Sequence, residues 1–148
     1  MKVRFRRLPH GHGLPPPRRA SDGSAGFDVC AAVPEPLVIR PGERRLVPTG
    51  FAIEVPTGWE VQVRPRSGLA LRHGLTVLNA PGTIDSDYRG EVGVLLVHLG
   101  EDAHTLRRGD RIAQLVVARV AGVEWEEVDE LRATRRGDGG FGSTGSGG

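Results

Sequence analysis

A single cysteine, Cys30, stands in a chain of 148 residues, so no disulfide can form within it and a reducing compartment is expected. Lysine is equally scarce. Of twenty basic residues only Lys2 is lysine and the others are arginines, a bias we read as codon usage in a GC-rich genome. No apolar run approaches bilayer-spanning length, and Met1–Arg7 has no signal-peptide core, so a soluble, cytoplasmic protein is the expectation. Net charge is only +2 with both signs mixed, which argues against nucleic acid or a membrane surface as the main partner. The histidines at 10, 12, 73, 98 and 104 have no partners at metal-ligand spacing, and with one cysteine a zinc site is not expected. No Gly-x-Ser-x-Gly elbow surrounds Ser67, and the Gly-Lys-Ser/Thr ending of a Walker loop is missing.

What is present has the grammar of β structure. The length suits one domain with a real core. Residues 1–8 read as an edge strand and residues 9–24, rich in Gly, Pro, Arg and Ser, as an irregular loop. A short strand is expected at Leu37-Val38-Ile39 between proline turns. From Leu46 to Arg64 the pattern is period two, which predicts half-buried antiparallel strands joined at Pro56-Thr57-Gly58. Ser67–Gly74 is the one good helical stretch, with Ser67 as its cap and Gly74 as its end. Val92–Leu99, Ile112–Val120 and Val123–Val128 complete the strands. Short strands punctuated by Gly and Pro indicate an all-β sandwich or jelly roll.

Four stretches carry chemistry. Gly82-Thr83-Ile84-Asp85-Ser86-Asp87-Tyr88-Arg89-Gly90-Glu91-Val92 reads as a hairpin, and one account of it is a plain structural turn. A turn has no need of a carboxylate three residues ahead of an aromatic ring. An active site does: Asp85 can hold a water while Tyr88 offers a flat face to a sugar or base. Asp28, within Ala25-Gly26-Phe27-Asp28, is either a capping acid in a strand or a working carboxylate. Arg66, Ser67 and Gly68 bring a guanidinium, a hydroxyl and backbone amides to a helix start, which suits an anion or simply a capped surface helix. Residues 133–148 carry one large apolar side chain, Phe141, and so read as a disordered terminus or as a phosphate clasp that folds only on its ligand.

Five stretches in one order resemble the trimeric deoxyuridine triphosphate nucleotidohydrolases (dUTPases). They are Ala25-Gly26-Phe27-Asp28, Pro65-Arg66-Ser67-Gly68-Leu69-Ala70, Gly82 to Gly90, Gly109-Asp110-Arg111-Ile112-Ala113-Gln114-Leu115, and Arg136 to Gly145. The resemblance runs from about residue 20 to the C-terminus.

It implies an all-β jelly roll with one short helix, assembled as a homotrimer whose active sites are shared between chains. It also implies hydrolysis of dUTP to dUMP and pyrophosphate with Mg²⁺, which supplies dUMP for thymidylate synthesis and keeps uracil out of DNA. Residues 1–132 would be the catalytic domain and residues 133–148 an arm closing over the site. Asp85 resembles the carboxylate that orients and deprotonates the attacking water, and Tyr88 the ring under the deoxyribose. Asn79, with the backbone of Gly82 and Thr83, matches the uracil-reading position. Arg66, Ser67, Gly68 and Gln114 match phosphate contacts, and Asp28 an acid reaching the metal's water shell. Arg136, Phe141, Gly142, Ser143 and Thr144 match the arm over base and γ-phosphate.

The residues agree with that assignment on their own terms. Triphosphate hydrolysis asks mainly for positioning and charge neutralisation, which arginines, backbone amides and Mg²⁺ provide. No cysteine, lysine or activated serine nucleophile is evident, which fits direct attack by water. A dCTP deaminase, or a bifunctional deaminase and diphosphatase, shares the fold; Tyr88 and the complete Phe141 arm favour the dUTPase, and ammonia release from dCTP would discriminate. A silent nucleotide-binding regulatory module is the reading from another class. Intact Asp85 and arm speak against it.

Overall fold

The computed structural model of the chain describes residues 1–140. These residues form ten strands, one short α-helix and a 3₁₀ turn at Pro9–Gly11: β1 (Arg4–Arg7), β2 (Phe27–Cys30), β3 (Leu37–Ile39), β4 (Arg44–Glu54), β5 (Trp59–Arg64), α1 (Ser67–His73), β6 (Leu75–Val77), β7 (Gly82–Ile84), β8 (Glu91–His98), β9 (His104–Leu106) and β10 (Arg111–Arg119). Two four-stranded sheets, ordered β1-β4-β8-β6 and β2-β10-β5-β7, are joined by the small pair β3-β9. Every ladder is antiparallel. This is the all-β jelly roll with one short helix that the sequence led us to expect. No helix is long and apolar enough to cross a membrane among the described residues.

The core comes from strict alternation. In β8 the residues Val92, Val94, Leu96 and His98 are buried while the residues between them are not. The opposite sheet contributes Val29, Val61, Val63, Ile84 and Leu115 to the same continuous apolar cluster, and Ile39 and Leu106 bring the small sheet into it. A one-residue slip of β8 would turn its whole apolar set outward, so the register is fixed by burial.

Two expected pairings fail in an informative way. Strands β4 and β5 are consecutive but not partners: β4 pairs with β1 and β8, and β5 with β10 and β7. The Pro56-Thr57-Gly58 turn, with Gly58 at φ 82°, carries the chain from one sheet to the other. The stretch from Gly82 to Val92 is likewise no hairpin. Strand β7 lies on β5 in one sheet, β8 lies between β4 and β6 in the other, and residues 85–90 bridge them. Turn composition announces that the chain bends; it carries no information about which sheet receives it.

The helix ends as expected and starts differently. Gly74 adopts φ 62° and donates its N–H to the Ala70 carbonyl, closing the last turn. Ser67 is the first helical residue and not its cap; Arg66 occupies the cap position without a side-chain bond. The expected strand at Val123–Val128 is absent. Among the described residues that segment pairs with no strand, and Trp125 is 96% exposed.

Alternation also carries His98 inside, where it is 1% exposed and neither ring nitrogen finds a partner among the described residues. The rings of His73 and His104 lie 4.6 Å apart, centre to centre. The His104 imidazole is held below its ordinary value of 6.5, first by burial and then by the nearby His73 and His98, against an opposing pull from Asp110. Below about pH 6.5 the unfolded chain therefore binds more protons at this residue than the folded one. The stability involved is intact above that pH and is lost as the pH falls toward the lower folded value. His104→Gln should therefore flatten the drop in melting temperature between roughly pH 7 and pH 5. A drop as steep as that of the wild type would contradict this.

Candidate active site

The passage of the chain between sheets makes a cavity of about 300 Å³, lined by Asn79, Gly82, Thr83, Asp85 and Tyr88 together with Leu46, Val63, Glu91 and Gly93. Five residues singled out in the sequence thus meet in one place. Each is positioned by a local device. Strand β7 seats Gly82 against Val63 of β5, and a side chain at Gly82 would press on the Asn79 amide and Val63. Asp85 opens the bridging turn, whose first bond runs from the Tyr88 N–H to the Asp85 carbonyl at 3.2 Å. Arg89 ties the turn down by donating to the carbonyls of Ser86 (2.7 Å) and Tyr88 (2.8 Å). The Tyr88 ring folds over Gly90, where any β-carbon would collide with it, and its hydroxyl donates to the Glu91 carbonyl at 3.0 Å. Asp85 and Tyr88 both remain exposed to solvent, available to a ligand.

A second cluster forms on the sheet containing β2, β10 and β5. Cross-strand register sets Asp28, Gln114 and Arg64 in one row. The Asp28 carboxylate accepts from Arg66 Nε at 3.1 Å and from Arg111 Nη1 at 2.9 Å. Gln114 donates Nε2 to the Pro65 carbonyl at 3.0 Å, and its amide oxygen lies over Gly26, where a methyl group would strike it. Two guanidiniums on one carboxylate leave an excess of positive charge, the requirement of a polyanion site. Ser67 and Gly68 start the helix beside Arg66. None of these residues lines the cavity that holds Asp85.

Cys30 lies close to the same arginines, yet burial pushes its thiol up from the ordinary value, against the opposing pull of Arg111 and Arg18. The shift favours the neutral thiol over the reactive thiolate. Arg136 stands apart on the exposed segment after β10, donating Nε to the Gly139 carbonyl at 2.8 Å. Phe141, Gly142, Ser143 and Thr144 lie outside the described residues.

The metal expectation can be weighed on the same geometry. Among the described residues no three His, Cys, Asp or Glu side chains gather closely enough to hold an ion. Mg²⁺ seldom uses such a cage; it keeps several waters and rides on substrate phosphates with one or two carboxylates nearby. Asp28, anchored by two arginines but with lone pairs to spare on both oxygens, fits a carboxylate that meets such an ion through its water.

Sequence reasoning assigned no role to three residues that matter here. Arg111 was quoted within its motif, but its bond to Asp28 depends on register between β2 and β10. Arg89 clamps the turn through its own local carbonyls. Glu91 looked like an ordinary strand residue and borders the cavity.

Known proteins resemble this chain over nearly its whole length. The dUTPase family model matches residues 14–145. A deoxyuridine 5′-triphosphate nucleotidohydrolase of Mesorhizobium japonicum is 60% identical over 146 residues, covering 97% of this chain and 91% of its own length. One from Caulobacter vibrioides is 57% identical over 149 residues, covering 98% and 95%. A dUTPase mutant of Staphylococcus bacteriophage 80alpha, solved with dUpNHpp, superposes with a TM-score of 0.83 at 25% identity, covering 97% of this chain and 98% of that one. With both clusters in place and the likeness running nearly end to end, the chain belongs to the dUTPase family.

Proposed function

We propose that this protein hydrolyses dUTP to dUMP and pyrophosphate. The observation that carries the reading is the meeting of Asn79, Asp85 and Tyr88 around one cavity, at the turn that crosses between sheets. Asn79 and the backbone of Gly82 and Thr83 supply donors and acceptors of the kind that read a uracil edge. Tyr88 packs its ring beneath the sugar and leaves no room for a 2′-hydroxyl. Asp85 lies in the nucleoside cavity itself, so the phosphate nearest to it is the α-phosphate.

Asp85 takes a proton from a water whose oxygen adds to the α-phosphorus; the α–β bridging bond breaks and pyrophosphate departs. Arg66, Ser67, Gly68 and Gln114 carry the phosphates, where fixed guanidiniums and amides stabilise the charge developing on the leaving group. Mg²⁺ bound to the triphosphate, with Asp28 meeting it through water, would neutralise charge and hold the phosphates in one geometry. Arg136, Phe141, Gly142, Ser143 and Thr144 belong to an arm of residues 133–148 that closes over base and γ-phosphate. Extended, it reaches roughly 50 Å. In cells the reaction supplies dUMP and keeps uracil out of DNA.

Two clusters that line different places must be brought together, and a trimer does so. Residues 120–132 expose Val120, Val123, Trp125, Val128 and Leu131. The same chain has an open apolar groove of about 440 Å³ between the edge strands β1 and β2, lined by Phe5, Phe27, Ile53, Leu115 and Val117 among others. The tail of one copy covering the groove of the next buries both surfaces, and closed threefold symmetry satisfies every copy alike.

Asp85→Asn should retain dUTP binding while turnover falls about 10²–10⁴-fold, the weight of a general base. Pyrophosphate release from dUTP near the wild-type rate would return Asp85 to the role of a turn residue. Trp125→Asp should shift the protein from trimer to monomer in sedimentation at micromolar concentration, because the groove then has to accept a charge. A variant that sediments as a trimer would remove the tail from the interface.

A further inference from the structure

Tyr88 is 45% exposed, and a ring so placed needs something to fix it. One residue does most of this. The Glu91 carbonyl accepts the Tyr88 hydroxyl at 3.0 Å, while its carboxylate oxygen Oε1 accepts from the Gly50 N–H at 2.7 Å and faces His10 Nε2 at 2.8 Å. Both ends of Glu91 are therefore engaged, the main chain by the sugar-facing turn and the side chain by the neighbouring strand β4 and the N-terminal loop.

The receiving surface is shaped for it. The register of β4 against β8 slips between Pro48 and Ala52, which releases the Gly50 N–H from the ladder. Thr49, buried, donates its hydroxyl to the Val92 carbonyl at 2.5 Å. Gly50 takes φ 76°, a conformation that favours glycine, and turns its carbonyl to the Leu8 N–H at 2.9 Å. Gly11 presses so closely on Gly50 that a β-carbon on either would collide with the other's backbone. Arg108 then donates to the carbonyls of His10 and His12, both at 2.8 Å, holding the loop that aims the His10 ring at Glu91.

We propose that Glu91 is a positioning residue for Tyr88, clamped from outside by His10 of the N-terminal loop, so that sugar discrimination depends on a side chain whose own bonds run to Gly50 and His10. The link to discrimination rests on the reading above, in which Tyr88 packs against the deoxyribose. The brace itself does not.

Tyr88 is the only tyrosine in the chain, so isotope-labelled tyrosine gives a single ring signal in the full-length protein. Glu91→Ala should move that signal toward the position of free tyrosine and narrow the ratio of kcat/KM for dUTP over UTP about tenfold, the weight of one hydrogen bond. Glu91→Gln keeps an acceptor for Gly50 and should restore both. An unmoved ring signal in Glu91→Ala overturns the brace, and a moved signal with an unchanged ratio overturns its role in discrimination. A general loss of stability would lower use of both nucleotides together, which also counts against the proposal. If Glu91→Ala does not fold, His10→Ala, which leaves the Gly50 bond in place, must shift the same signal. Wild-type protein that uses dUTP and UTP equally would sink the substrate reading alone, and the ring signal would still decide the brace.

Discussion

The backbone has to pass from one sheet to the other between Ile84 and Glu91, and the rest of the site follows from that crossing. Strand β7 ends on β5 and β8 begins beside β4, so residues 85–90 span the gap between sheets and bring Asp85 and Tyr88 to a cavity. Burial makes the crossing rigid at both ends. Ile84 and Val92 are both in the core, on opposite sides of the gap, and neither strand can slip without exposing its apolar set. The turn itself contributes little hydrophobic burial. It is held by hydrogen bonds from Arg89 and Tyr88 to carbonyls, each worth little alone and useful only because the ends do not move.

Glycines do a second kind of work at both clusters. At Gly26 the amide of Gln114 occupies the space of an absent side chain, and at Gly90 the ring of Tyr88 does the same. In each case a motif glycine is needed because another functional group lies on it. This is a packing requirement and not one of backbone conformation, since neither residue adopts a positive φ. The two clusters also differ in electrostatic character. The Asp28 cluster gathers cations and suits phosphates, whereas the Asp85 cavity combines one acid with amides, a ring and apolar walls and suits a nucleoside.

Much of this was legible in the sequence because it is local. Period-two burial marked β8, the Leu37–Ile39 strand was found at its bounds, and Ser67–His73 with Gly74 at φ 62° was readable from propensity and the closing glycine. The motif residues drew attention through odd chemistry within turns. Pairing was not legible. Neither Pro56-Thr57-Gly58 nor Asp85–Gly90 says which strand lies alongside, because strand order is settled by the competition of all edges for partners. For the same reason Arg111 and Glu91 went unassigned: their partners, Asp28 and Gly50, are distant in sequence and become neighbours only through register and a bulge. The segment around Trp125 reads as a strand by composition, but composition does not supply the partner edge a strand needs, and the segment pairs with none among the described residues.

The central claim is that the nucleoside cavity of one copy works with the phosphate cluster of another. Mixing two defective chains tests it directly. Asp85→Asn and Arg66→Ala proteins, each unfolded and then refolded together in equal amounts, should form mixed trimers. If the site is shared, about a quarter of the sites receive both native groups from different chains. The mixture should then hydrolyse dUTP at about a quarter of the wild-type rate, while each variant refolded alone stays about a hundredfold or more below it. A mixture no more active than the two variants measured separately, with mixed trimers demonstrated, would mean that each chain needs both groups of its own.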